Sequence, residues 1–145
     1  MMKRALPAVL LAFVLAGCAT ASSQDDAEFD ARLGRMMAGE SEVQGAALDA
    51  ALAKAASHPL GSEQNPVRAS MPPGERAYLA RLRCADGNAP EYERQGSGGD
   101  SPYGNIVDFY QVTCSGSEPA MVVMDMYHSG YAEDRPVPGF TIVER

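Results

Sequence analysis

The chain has 145 residues, with 12 Lys and Arg against 19 Asp and Glu and a formal net charge of −7. That length supplies one hydrophobic core and not two. The acidic balance argues against nucleic acid, and against a broad footprint on anionic lipid, because both require positive potential.

Lys3 and Arg4 precede an apolar run over residues 5–16, which closes on Leu15-Ala16-Gly17-Cys18. A basic start, a short apolar middle and small residues before a boundary are the three parts of a secretory signal peptide. Residues 5–17 would extend roughly 20 Å as a helix. The hydrocarbon core of a bilayer is about 30 Å thick, so the run is too short to be a membrane span. Its last four residues match a lipobox, and the segment resembles the leader of bacterial lipoproteins. That resemblance implies cleavage before Cys18, a diacylglycerol on its sulfur and usually a further N-acyl chain. Two or more acyl chains anchor stably where one binds marginally. The competing reading is cleavage by the ordinary signal peptidase, leaving Cys18 a plain thiol. In Gram-negative lipoproteins an Asp after the Cys tends to retain the protein at the inner membrane. Ala19 stands there instead, which implies the outer membrane, facing the periplasm. Lys3 and Arg4 are the only charged residues of the leader, so removing it takes the net charge from −7 to −9. The expected organisation is a signal peptide over 1–17, a lipidated tether over 18–25 and a single α+β domain over 26–145.

Within that domain, helices are expected over about 26–57. Phe29, Leu33, Met36 and Met37 fall on one helical face, with Ser23 and Asp26 as an N-terminal cap and Gly39 as a stop. Ser41 and Gln44 have capping-box spacing ahead of a second stripe: Val43, Ala47, Leu48, Ala51, Leu52 and Ala55. Lys54 suits the last turn, and His58-Pro59 ends the helix. One bent helix through Gly39 is the alternative. Residues 58–74, rich in Pro and Gly, read as a connector.

A sheet is expected over about 75–145. From Glu75 the period reads as two, with Tyr78, Ala80, Leu82 and Cys84 on one face and Arg81 and Arg83 on the other. Asp86-Gly87-Asn88 signals a turn. Residues 91–95 read as a polar edge strand and 96–105 as a Gly-rich loop. Ile106, Tyr110, Val112 and Cys114 define a third strand, residues 120–127 a fourth and 140–143 a short last one. With Cys18 lipidated, Cys84 and Cys114 remain in an oxidising compartment, and the chain has no CxxC. Pairing between them is therefore expected. The predicted fold is α+β: two N-terminal helices packed on a small antiparallel sheet of 3–5 strands with one disulfide.

Chemistry is sparse. The loop at 96–105 lacks the Lys-Ser/Thr of a P-loop, and a strand follows it. Tyr103 at its tip reads as an exposed contact residue. Asp125 and His128, with Glu133 and Asp134 nearby, have the ligand types of a metal site. On a strand, however, their spacing sends the first two side chains to opposite faces, so no metal is expected. Ser129 beside His128 is not a triad, and there is no Gly-x-Ser-x-Gly elbow. No catalytic residue and no cofactor is expected. Arg81 and Arg83, with Arg68, Arg76 and Arg94, form a candidate basic face for a partner.

His58-Pro59-Leu60-Gly61-Ser62, Asn65-Pro66-Val67-Arg68, residues 77–84 (Ala-Tyr-Leu-Ala-Arg-Leu-Arg-Cys) and Asp125-Met126-Tyr127-His128 are similar to stretches of small proteobacterial envelope lipoproteins. The resemblance spans about residues 58–145 and implies an address without an activity. The expected function is therefore a membrane-anchored envelope lipoprotein, a non-enzymatic binding or structural accessory with an envelope protein as partner. The alternative is a periplasmic metal-binding protein or hydrolase using Asp125 and His128. An exposed apolar or Arg-lined patch would favour the first reading, and convergence of Asp125 and His128 with an acidic residue in a pocket the second.

Overall fold

The computed structural model describes residues 21–145. The leader and Cys18 lie outside the described residues. The chain runs α1 (Ala21–Met37), α2 (Gly45–Ala55), β1 (Val67–Arg68), α3 (Met71–Arg81), β2 (Leu82–Arg83), β3 (Glu91–Asp100), β4 (Ile106–Thr113), β5 (Ala120–Asp125) and β6 (Thr141–Ile142). The main sheet has the order β1-β5-β4-β3, antiparallel except for the parallel β1–β5 pair, and β2 pairs with β6 in a two-stranded sheet. The class is α+β, as expected. No helix among the described residues is long and apolar enough to cross a membrane.

The two helices read from periodicity are present, separated at Gly39 rather than continuous. Gly39 has a positive φ of 68°, and an added Cβ would sit 2.7 Å from Met71 Sδ. Only glycine fits there without strain. α1 starts at Ala21, so residues 21–25 are helical rather than tether, and Ser23 lies inside the helix it was expected to cap.

The main departure is α3. The stretch after Pro72-Pro73 was expected to become a strand, and it is a helix as far as Arg81. The two prolines occupy its first turn, where a missing N–H costs nothing and a fixed φ is already helical. Glu75, Tyr78, Leu79 and Leu82 are all buried while Ala80 is exposed. This is the i, i+3, i+4, i+7 pattern of a helix, not alternation. Only Leu82–Arg83 is strand.

α3 is also the helix that covers the sheet. Tyr78 and Leu79 pack with Leu82 against Val67, Tyr110, Val112, Val122 and Met124, and Val137 closes the cluster. The stripe of α2 is half-buried, with Ala55 fully so, whereas that of α1 is exposed.

A second departure is β3, which continues through the Gly-rich stretch to Asp100. It pairs with β4 along its whole length, with register shifts around Gln95 and Gly99. Glycine tolerates the kinked backbone of such irregularities. The true loop is only 101–105. Cys84 and Cys114 form a disulfide with Cα atoms 5.8 Å apart. It joins the end of β2 to the end of β4, tying the small sheet to the large one.

Candidate functional site

Asp125 ends β5 with no solvent exposure. Ser101 Oγ donates to its Oδ2 at 2.7 Å, Asn105 Nδ2 reaches both its oxygens at 2.9 and 3.1 Å, and the Tyr127 amide donates to Oδ1 at 3.0 Å. His128 Nε2 stands 3.5 Å from Oδ2, and the His128 side chain is 4% exposed. That nitrogen makes no hydrogen bond, the separation being one at which alignment is lost. Burial pushes the Asp125 carboxyl up, but His128, Ser101 and Asn105 together hold it below the usual carboxylate range.

β5 ends at Asp125, so the alternation of a strand does not extend to His128, and residues three apart come to face each other. The 101–105 loop supplies the rest. Its tight turn is closed by Ser101 N–H to Asn105 C=O (2.7 Å) and Gly104 N–H to Ser101 C=O (3.0 Å). Gly104, at φ 81°, lies against Glu42 and Val43. From the segment between α1 and α2, Ser41 Oγ donates to Tyr103 C=O, Val43 N–H donates to the same oxygen, and Glu42 N–H donates to Asn105 Oδ1 at 2.8 Å. One buried carboxylate thus organises a loop and, through Asn105, the helical linker.

These hydrogen bonds make the carboxylate a clamp on the loop and the linker. Ser101 and His128 both lean on the same carboxylate, and Ser101 donates its proton to Asp125 rather than to the imidazole. Nucleophilic activation requires the hydroxyl to face the base. Nor do the acidic candidates converge. Glu133 is bound by Arg135 and Tyr131, and Asp134 by Arg81 and Arg145. Burial pushes Glu133 up, and Arg135 more than offsets it. No three His, Cys, Asp or Glu among the described residues form a group able to hold a metal.

The partner-facing candidates also need correction. Tyr103 is fully buried, its ring in edge contact with His128 at 5.1 Å. It packs the loop down instead of presenting it. Arg81 ends α3, 13% exposed and held by Asp134 and the Glu133 carbonyl. Arg83 donates to the Ala80 and Leu82 carbonyls. Arg94 grips Asp108 with two nitrogens, Arg68 lies over the Tyr131 ring, and Arg76 is on the exposed side of α3. These arginines do not make one basic face.

A second buried cluster carries no local sequence signal. Glu75 on α3 is fully buried, accepts a hydrogen bond from Tyr110 OH at 3.0 Å, and has no donor for Oε1. Burial first, and the neighbouring Asp108 carboxylate second, push its pKa well above the usual range. The clue is positional: a glutamate on the helical stripe shared by Tyr78 and Leu79.

A surface cleft of about 550 Å³ lies beside α2 and is lined by Lys54, His58, Glu63 and Asp100 among others. Its mixed charges favour neither sign of ligand. In comparison with known proteins, no family model, no curated protein and no solved structure matches the chain.

Proposed function

We propose that the protein is a lipid-anchored envelope lipoprotein that acts by binding an envelope protein partner rather than by catalysis. The observation that carries this reading is α1. Its apolar stripe, which periodicity marks as a packing face, is left in solvent: Phe29 is 66% and Met37 73% exposed, with Leu33 and Met36 near 40%. A contiguous apolar patch of this kind is the usual mark of an interaction surface. Ten residues separate Cys18 from Phe29, so a lipid on that cysteine would hold the patch close to the bilayer. Asp25, Asp26, Glu28 and Asp30 on the same helix disfavour an anionic membrane as what covers it. The alternative through Asp125 and His128 draws no support from the geometry, since the carboxylate is sealed and already saturated with donors.

A photo-crosslinking residue in place of Phe29, in intact cells, tests this. A discrete protein adduct that disappears when Leu33 and Met37 are replaced by Ser is the expected result. Adducts to lipid alone would overturn the partner reading while leaving the anchor intact.

A further inference from the structure

A groove of about 410 Å³ opens between the N-terminal end of α2 and the 127–131 segment, with Gln44, Leu48, Arg68, His128 and Tyr131 in its walls. We propose that it binds a carboxylate carried on an apolar body. The site is separate from the α1 patch.

Arg68 is the anchor. It stands at the edge of the main sheet, and its guanidinium carbon lies 3.7 Å from the centre of the Tyr131 ring. Among the described residues no carboxylate forms an ion pair with it. A guanidinium stacked on a ring keeps its in-plane N–H groups for a planar acceptor, and a carboxylate matches that fork with two parallel hydrogen bonds. The end of α2 adds to the field. Its N-cap, Gln44, makes no side-chain cap, so the first-turn amides retain their partial positive charge on the side where Gln44 and Leu48 line the groove. His128 also lines the groove, but its Nε2 is buried against Asp125, so the anion contact falls to Arg68.

The walls are fixed before any ligand arrives. The His128, Ser129 and Gly130 amides donate to Ala69 C=O (3.1 Å), Gly39 C=O (2.8 Å) and Ser70 Oγ (3.1 Å). A preformed site spends little binding energy on ordering itself. Leu48 and Tyr131 offer apolar contact to the body of the ligand. Glu40, itself in the lining, and the acidic chain as a whole oppose negative charge, which disfavours a phosphate dianion more than a monoanion. The carboxylate could belong to a small acid or to the C-terminus of a peptide.

Saturation-transfer NMR on the mature, detergent-solubilised protein tests the assignment. The probes are N-acetylphenylalanine, its amide, an N-acetylated tripeptide ending in Phe with a free or amidated C-terminus, and inorganic phosphate as competitor. Both free acids should bind and both amides should not. Arg68→Gln should weaken binding at least tenfold, Arg68→Lys should lose part of it, and Lys54→Gln should lose none. Tighter binding of the tripeptide acid would identify a peptide terminus, and equal binding a small acid. Should Arg68→Gln fail to fold, Leu48→Glu, which places a like charge in the groove, must abolish binding instead. Equal binding of acids and amides, no binding of either acid, acid binding unchanged by these variants, or displacement by phosphate at lower concentration than the acids would overturn the proposal.

Discussion

Two buried carboxyl groups sit in this small domain, and their surroundings drive them in opposite directions. Asp125 has four donor contacts and stays charged. Glu75 has one donor and a carboxylate neighbour, so burial and Asp108 raise its pKa from 4.5 to about 8. A carboxyl with a raised folded-state pKa binds its proton in the native state while the unfolded chain has already released it. Its contribution to stability is therefore complete at acid pH and lost progressively as pH rises from about 4.5 to about 8, with no further change above. Glu75→Gln keeps an acceptor for Tyr110 and removes the charge. Its melting temperature should be flatter over that window and should exceed the parent's at pH 9 by about 5 °C or more, as read by circular dichroism. Asp125 obeys the opposite sign: its stabilisation is present above the ordinary carboxylate range and fades as pH falls below it. Asp125→Ala would strand Ser101, Asn105 and the Tyr127 amide without an acceptor. A loss of roughly 3–5 kcal/mol in urea denaturation is expected, and Asp125→Asn should lose less. A loss under about 1 kcal/mol for Asp125→Ala would show that the clamp is not structural.

At the level of elements, the disulfide is the long-range link easiest to test. It closes a loop over a sequence separation of 30 residues, for which chain entropy gives about 3–4 kcal/mol. Cys84→Ser should lower the melting temperature by roughly 10 °C or more, and an unchanged melting curve would refute a folding role. The pairing was legible from the cysteine count, once Cys18 is set aside and an oxidising compartment is assumed. α1 and α2 were legible because their apolar stripes repeat at the helical period without interruption. α3 was not, for two local reasons. A buried glutamate breaks its apolar stripe at Glu75, and two prolines imitate a connector while serving as a first turn. The glycines of β3 imitated a loop in the same way, since only pairing with β4 reveals their strand. The Asp125 cluster joins residues 41–42, 101–105 and 125–128 through non-local contacts. Sequence pattern singled out Asp125 and His128 but could not supply Ser101 and Asn105, the partners through which the carboxylate holds the loop.

For the whole molecule, a lipid on Cys18 would decide where the folded part works. If Cys18 carries lipid, Cys18→Ser should leave a correctly folded protein in the soluble periplasmic fraction, with the parent in the membrane pellet. Fractionation and immunoblotting read this directly, and retention of the Ser variant in the pellet would count against lipid anchoring. The fold is expected to be indifferent to the change, because α3, the sheet and the disulfide all lie well downstream of residue 18.

The linker between α1 and α2 has a mechanical meaning. Arg32 and Arg35 both hold Glu42, the Glu42 amide is bound to Asn105, and Asn105 is bound to Asp125. The heading at which the first helix leaves the body is thus set from the innermost end of a central strand, like a mast stepped on the keel. Loosening the footing at Asp125 would let that helix swing while its own sequence stayed untouched. Spin-label distances between the helix and the sheet would then broaden.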